Sequence, residues 1–187
     1  MTPSERKPNR RFFGYLEAVF DLLYLLAAAS VGMILLSRGA GGLDRLTSAM
    51  AFTLAAGDAF HLIPRICAVV TGDGRRFQSA LGFGKLVTSI TMTVFDVLLW
   101  QVGTRLFPPV PQGWTFLAYT LAGARILLCL HPRNRWLEDA APLNWAVLRN
   151  LPFLLLGLQA ALLFWLFRDT VPAFAWMWLA VVLSFAF

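Results

Sequence analysis

Two histidines and two cysteines are the only imidazoles and thiols in this chain of 187 residues. Cys67 and Cys129 both fall inside apolar runs and lack zinc-finger spacing. No extracellular disulfide framework is visible, and each cysteine reads as a small apolar packing residue. Long polar stretches are missing too. Hydrophobic residues make up 58% of the chain, and mean hydropathy is +0.66, far above a soluble domain. No stretch alternates polar and apolar residues as a barrel strand would. No internal repeat appears, so the inverted-repeat signature of many transporters is absent. The first apolar run is too long for a signal-peptide core and has no convincing small-residue cleavage site.

What remains is a row of long apolar segments, and α-helices are the only structure that lets such segments cross a bilayer singly. The pattern predicts an all-α polytopic membrane bundle of about six spans. The spans run about Phe13–Leu36, Thr47–Val70, Ala80–Val102, Trp114–Leu130, Ala146–Phe167 and Val171–Phe187. Residues 1–12 form a basic segment ahead of a single transmembrane domain, 13–187. Glycine, proline and charge clusters punctuate each boundary. The sixth run ends at Ser184-Phe185-Ala186-Phe187 with no polar anchor. Either its end just reaches the inner interface or a further helix follows.

The net charge of +6 is loop charge. Twelve of the 16 basic residues and six of the ten acids lie in predicted loops and termini. Such an excess orients the chain and touches anionic headgroups, and no nucleic-acid partner is expected. With the N-terminus inside, the inner loops hold eight Lys and Arg residues and the outer loops four. The positive-inside rule therefore puts the N-terminus in the cytoplasm of a multi-pass protein of the cell membrane, an inner membrane. Trp100, Trp114, Trp165, Trp176 and Trp178 fall mainly toward the outer side, as an interfacial belt does.

Four acids and four bases lie within the spans: Glu17, Asp21, Asp58 and Asp96, with Arg65, Lys85, Arg125 and Arg149. Ionisable groups are expensive in hydrocarbon, so they mark a site or a pairing network. Glu17 and Asp21 share one helical face, and Asp58, His61 and Arg65 share another. The orientation sets Glu17, Asp21, His61, Arg65, Lys85, Arg125, Arg149 and Asn150 at one depth, in the cytoplasmic half. Asp96 stands apart in the outer half. Pro64 and Pro152 remove the donors that would meet the Phe60 and Leu148 carbonyls, at the same depth.

Carboxylate and imidazole on facing helices can work as general acid and base or hold a divalent metal. His61 with Asp58 and Glu17 is the catalytic candidate. Two histidines are few for a catalytic zinc, and nearby Arg and Lys repel a cation, so no metal is assigned and no cofactor is named. Asp21, Arg65, Lys85, Ser89, Arg125, Arg149 and Asn150 are the candidate ligand-binding residues. Arginine forks suit a phosphate or carboxylate, hence a membrane lipid or a small anionic ligand. Ser89 as a nucleophile would need His61 as base. Gly82-Phe83-Gly84-Lys85-Leu86 resembles a phosphate loop only superficially, because Ser79 and Leu86 replace required residues. Ala118 with Ala122, Gly157 with Ala160, and Ala27–Ala29 with Gly32 read as packing faces.

Three functions fit: an enzyme acting on an anionic lipid or amphiphile, a small transporter or channel for an anionic or protonatable solute, and an accessory subunit whose charges lock helices together. Orientation is directly testable in a variant with Cys67 and Cys129 replaced by alanine. A cysteine at Asp73 should resist a membrane-impermeant maleimide added to intact cells, and one at Ser37 should react. The reverse pattern would invert the bundle.

Overall fold

A computed structural model describes residues 7–39, 41–107, 109–138 and 142–184. Among them every regular element is helical. The helices are α1 Lys7–Arg38, α2 Gly42–Thr71, α3 Gln78–Leu106, α4 Gln112–Leu130, α5 Leu143–Leu166 and α6 Met177–Ser184. Short 3₁₀ turns at Pro132–Asn134 and Pro172–Phe174 lie in the last two connections. Five helices, α1 to α5, are long and apolar enough to cross a membrane. The protein is thus a multi-pass α-helical membrane bundle.

The sixth span differs from expectation. α6 has eight described helical residues, about 12 Å of helix at 1.5 Å per residue, well under a hydrocarbon core of about 30 Å. Apolar composition decides where a segment partitions, not how much of it is helical. Pro172 opens a 3₁₀ turn at the start of the run, and the helix begins only at Met177. Ser184 borders the same cavity as Asp58 and Phe153, and also the groove along α5 that begins at Leu143. Residues 185–187 lie outside the described residues, as does the polar start at 1–6.

Short connections make consecutive helices antiparallel neighbours. Each helix packs on the next, and α3 also packs on α5, which makes α3 the central helix. The C-terminal half of α3, with α4 and α5, is closed by a tight apolar core. Trp100, Leu156, Leu163 and Phe164 are fully buried there. Phe107 packs edge-on to Phe164 at 5.4 Å and stacks on Phe167 at 5.2 Å. Ala118, Ala122 and Ala160 are buried in this region, so two of the small-residue faces are helix contacts.

The closest approaches lie elsewhere, at glycines the sequence pattern had not singled out as contacts. A Cβ on Gly57 would overlap the Thr91 side chain, and one on Gly84 would overlap the Phe60 carbonyl oxygen and stand 2.7 Å from the His61 Cα. α2 and α3 therefore meet nearly backbone to backbone. The Phe60 carbonyl, which Pro64 deprives of its helical donor, lies against Gly84. Thr88 Oγ1 donates to the Gly57 carbonyl at 3.0 Å across the same crossing. On the α1 side, Ser48 Oγ donates to the Gly32 carbonyl at 2.9 Å, and Phe52 covers Gly32.

Gly84→Val should separate α2 from α3 and cost about 2–3 kcal/mol or more, as overpacking of a tight contact does. Gly123, whose added Cβ would meet nothing within 4 Å, is the control. Gly123→Ala should be neutral or stabilising by about 0.5–1 kcal/mol. Thermal unfolding in detergent measures both.

Candidate functional site

Three groups of polar side chains follow from this packing. The first is the α1–α2 seam. Glu17 forms an ion pair with Arg65, and both side chains are well exposed. Asp21, one turn along α1, is buried, and its Oδ2 has no hydrogen-bond partner among the described residues. Another turn on, Tyr24 donates its hydroxyl to Asp58 Oδ2 at 2.7 Å. Glu17, Asp21 and Tyr24 thus form one stripe, and the i, i+4, i+7 spacing was the signal that would have added Tyr24 to the sequence candidates.

The second group lines a pocket of about 250 Å³ between α2, α3, α5 and the α4–α5 connection. His61, Lys85, Ser89, Arg149 and Asn150 border it, with Thr88 and Trp136. The glycine crossing brings His61 and Lys85 to it. His61 has the Leu81 carbonyl beside it, while its Nδ1 has no partner among the described residues. Ser89 donates to the Lys85 carbonyl of its own helix at 2.8 Å, which occupies its proton and directs it away from a nucleophile's role. Lys85 and Arg149 form no ion pair among the described residues.

Arg149 is held by the α4–α5 connection. Its Nη1 donates to Asn134 Oδ1 at 2.9 Å, and its guanidinium lies 4.1 Å from the Trp136 ring centroid. Asn134 is fully buried and turns its amide back on the end of α4, donating to the carbonyls of Leu128 at 2.6 Å and His131 at 2.9 Å. Helix ends leave such carbonyls without partners, so one amide both caps α4 and fixes Arg149. Trp136 Nε1 donates to the Cys129 carbonyl at 2.9 Å, and its own backbone rests where a Cβ on Gly82 would stand. Of the loop-like motif, Gly84 therefore serves the close approach of α2 and Gly82 that of the α4–α5 connection. No periodicity marks Asn134 or Trp136, and sequence reading missed both.

The third group is buried between α3, α4 and α5. Arg125 is only 4% exposed, and its guanidinium lies 3.3 Å from the centroid of the Phe153 ring. Its Nε and Nη1 have no hydrogen-bond partner among the described residues, and Cys129 is its side-chain neighbour. Asp96 is 5% exposed, and its Oδ2 is likewise unpartnered. The two charges act on each other without forming a salt bridge. Asp96 is therefore not isolated, and Arg125 does not line the pocket of His61, Lys85 and Arg149. Depth along a helix was legible, but the direction a residue faces depends on its packing partners.

Two larger apolar spaces adjoin. A cavity of about 770 Å³ is bordered by Tyr24, Asp58, Thr88, Asp96 and Phe153, and reaches α6 at Val181 and Ser184. A groove of about 580 Å³ runs along α5 past Leu143, Val147, Asn150 and Leu154. Thr88 borders both the cytoplasmic pocket and the cavity, and Asn150 both the pocket and the groove. Beside the α2–α3 connection, a fourth space of about 450 Å³ carries Arg75 and Glu138 and shares Lys85 and Trp136 with the pocket. No group of three or more metal-ligating side chains occurs among the described residues.

The chain matches no family model, no curated protein and no solved structure, so its function is read from its own side chains. Asn134→Ala should remove the amide donor that the Leu128 and His131 carbonyls accept alongside backbone N–H groups, and the acceptor of the Arg149 guanidinium. An expected loss of about 1–3 kcal/mol follows, chiefly from the Arg149 N–H left without its acceptor. Asn134→Asp, which keeps the acceptor for Arg149 but not the donors, separates the two roles when unfolding is compared.

Proposed function

We propose that this membrane protein binds an anionic amphiphile from the cytoplasmic leaflet of the cell membrane and acts on its headgroup. One observation carries the reading: a small pocket bearing Lys85 and Arg149 borders, at Asn150, an apolar groove along α5. A polar recess for a charged head beside a greasy track for a chain is the shape of an amphiphile site. Arg149 is pre-organised by Asn134 and Trp136, so its fork is ready for phosphate or carboxylate oxygens at little entropic cost. Lys85 adds a second, mobile cation.

His61 is the group that would move a proton. Its Nδ1 is buried and unpartnered among the described residues, and it borders the pocket where the head would sit. Asp58, one turn away on α2, acts on it electrostatically. Glu17 is engaged by Arg65 at the seam and would have to leave that pair to take part. One-sided access supports an enzyme or binding protein over a transporter. Beyond Asp96 the few polar side chains, Gln101 and Gln159 among them, bond Tyr119 and the Trp114 carbonyl, and that half of α3 to α5 is packed with Trp100, Leu163 and Phe164.

Native mass spectrometry of the detergent-purified protein tests this. Wild type should retain an anionic lipid. Arg149→Gln should lose it by about tenfold or more, the worth of a charge-assisted fork. His61→Ala should keep it, because His61 is assigned to the proton and not to holding charge. A lipid equally abundant in wild type and Arg149→Gln would sink the proposal.

A further inference from the structure

The cavity of about 770 Å³ is left unused by the anionic site. Its position is unusual: it lies at mid-depth, walled mostly by apolar side chains, among them Met50, Met92, Phe95 and Met177, yet it carries two carboxylates, Asp58 and Asp96. Burying an ionised carboxylate without partners costs several kcal/mol or more, so native bundles supply a counter-charge, a donor or a bound ligand. Asp58 has a donor in Tyr24 at 2.7 Å. Asp96 has none at Oδ2, although it is only 5% exposed. Arg125, the charge that acts on it, makes no salt bridge with it and instead lies over Phe153. Two carboxylates and one guanidinium stand in this region. The basic side chains Lys85 and Arg149 of the smaller pocket do not border it. The ionisable lining changes from basic to acidic across Thr88.

We propose that this cavity is a binding site for a lipophilic ammonium ion, a protonated amine carried on a compact apolar body. The ammonium N–H groups would donate to the carboxylates of Asp96 and Asp58, which border the cavity, as charge-assisted hydrogen bonds. The Phe95 ring and the methionine sulfurs suit the apolar body and the cation alike. A volume of about 770 Å³ falls within the range of small-molecule sites, about 300–1,000 Å³. Neither the anionic headgroup pocket nor its ligand is needed for this.

The test measures equilibrium binding of 1-adamantylammonium and of its neutral isostere 1-adamantanol to the whole protein in a nonionic detergent. Wild type should bind the ammonium about tenfold or more tighter than the alcohol, the worth of one charged hydrogen bond. Asp96→Asn should erase that preference, and Arg149→Gln should keep it. If Asp96→Asn does not fold, Asp58→Asn should still reduce the preference. Equal affinity for the two probes in wild type, as a merely water-filled cavity would give, overturns the proposal without any variant. A preference undiminished in Asp96→Asn, or in Asp58→Asn where that variant has to stand in, overturns it too. Loss of lipid in Arg149→Gln with ammonium binding intact would show that the two sites stand or fall separately.

Discussion

The near backbone-to-backbone crossing of α2 and α3 is the constraint on which the polar architecture depends. Gly57 and Gly84 permit it, and no larger residue could stand at either position without a shift. Because the helices approach so closely, His61 of α2 and Lys85 of α3 border one small pocket. Asp58 and Asp96 border the next cavity for the same reason. Between lipid-exposed helices there is no hydrophobic drive to association, so packing at small residues and hydrogen bonds across the seam carry the contact. The Thr88 to Gly57 bond is one such link. The Phe60 carbonyl, freed by Pro64, meets Gly84 at the same place, so the proline and the glycine are two halves of one local solution.

Charge in a low-dielectric bundle must be paired, solvated or held against a polarisable face. This protein uses all three. Glu17 and Arg65 pair at the seam. Arg149 takes a neutral amide and an indole face in place of a carboxylate. Arg125 lies on the Phe153 ring. If the four acids and four bases existed only to lock helices together, each base would be expected to meet an acid. Only Arg65 does so among the described residues. Lys85 and Arg149 instead face a pocket, and that asymmetry is why a ligand site fits better than a set of structural ion pairs. Asp96 and Asp58 show the complementary asymmetry one cavity deeper.

Much of the bundle was legible because hydropathy is a one-dimensional property. A run such as Trp114–Leu130 must be satisfied by its own backbone hydrogen bonds, whatever its neighbours. The same is true of depth: a residue's distance along a helix gives its height, and His61, Lys85, Arg149 and Asn150 do share one height. Lateral direction is different. Arg125 was legible as an inner-half cation but not as a core residue stacked on Phe153, because that depends on how α4 is rotated against α5. The α4–α5 connection was legible only as loop charge. Its functional content, Asn134 under Arg149 and Trp136 against Gly82, comes from a chain that turns back on helix ends, and no periodicity encodes such a turn.

By itself, then, the sequence determined the helical class and the positions of the five long spans. Both follow from the cost of bare backbone in hydrocarbon, which every segment bears independently of the fold. The partition of the charges into a seam, a pocket and a core pair, and the change from basic to acidic lining across Thr88, were decided by the tertiary structure. Those features are set by which helices touch and how they are rotated about their axes, and that is a property of pairs of surfaces rather than of any single segment.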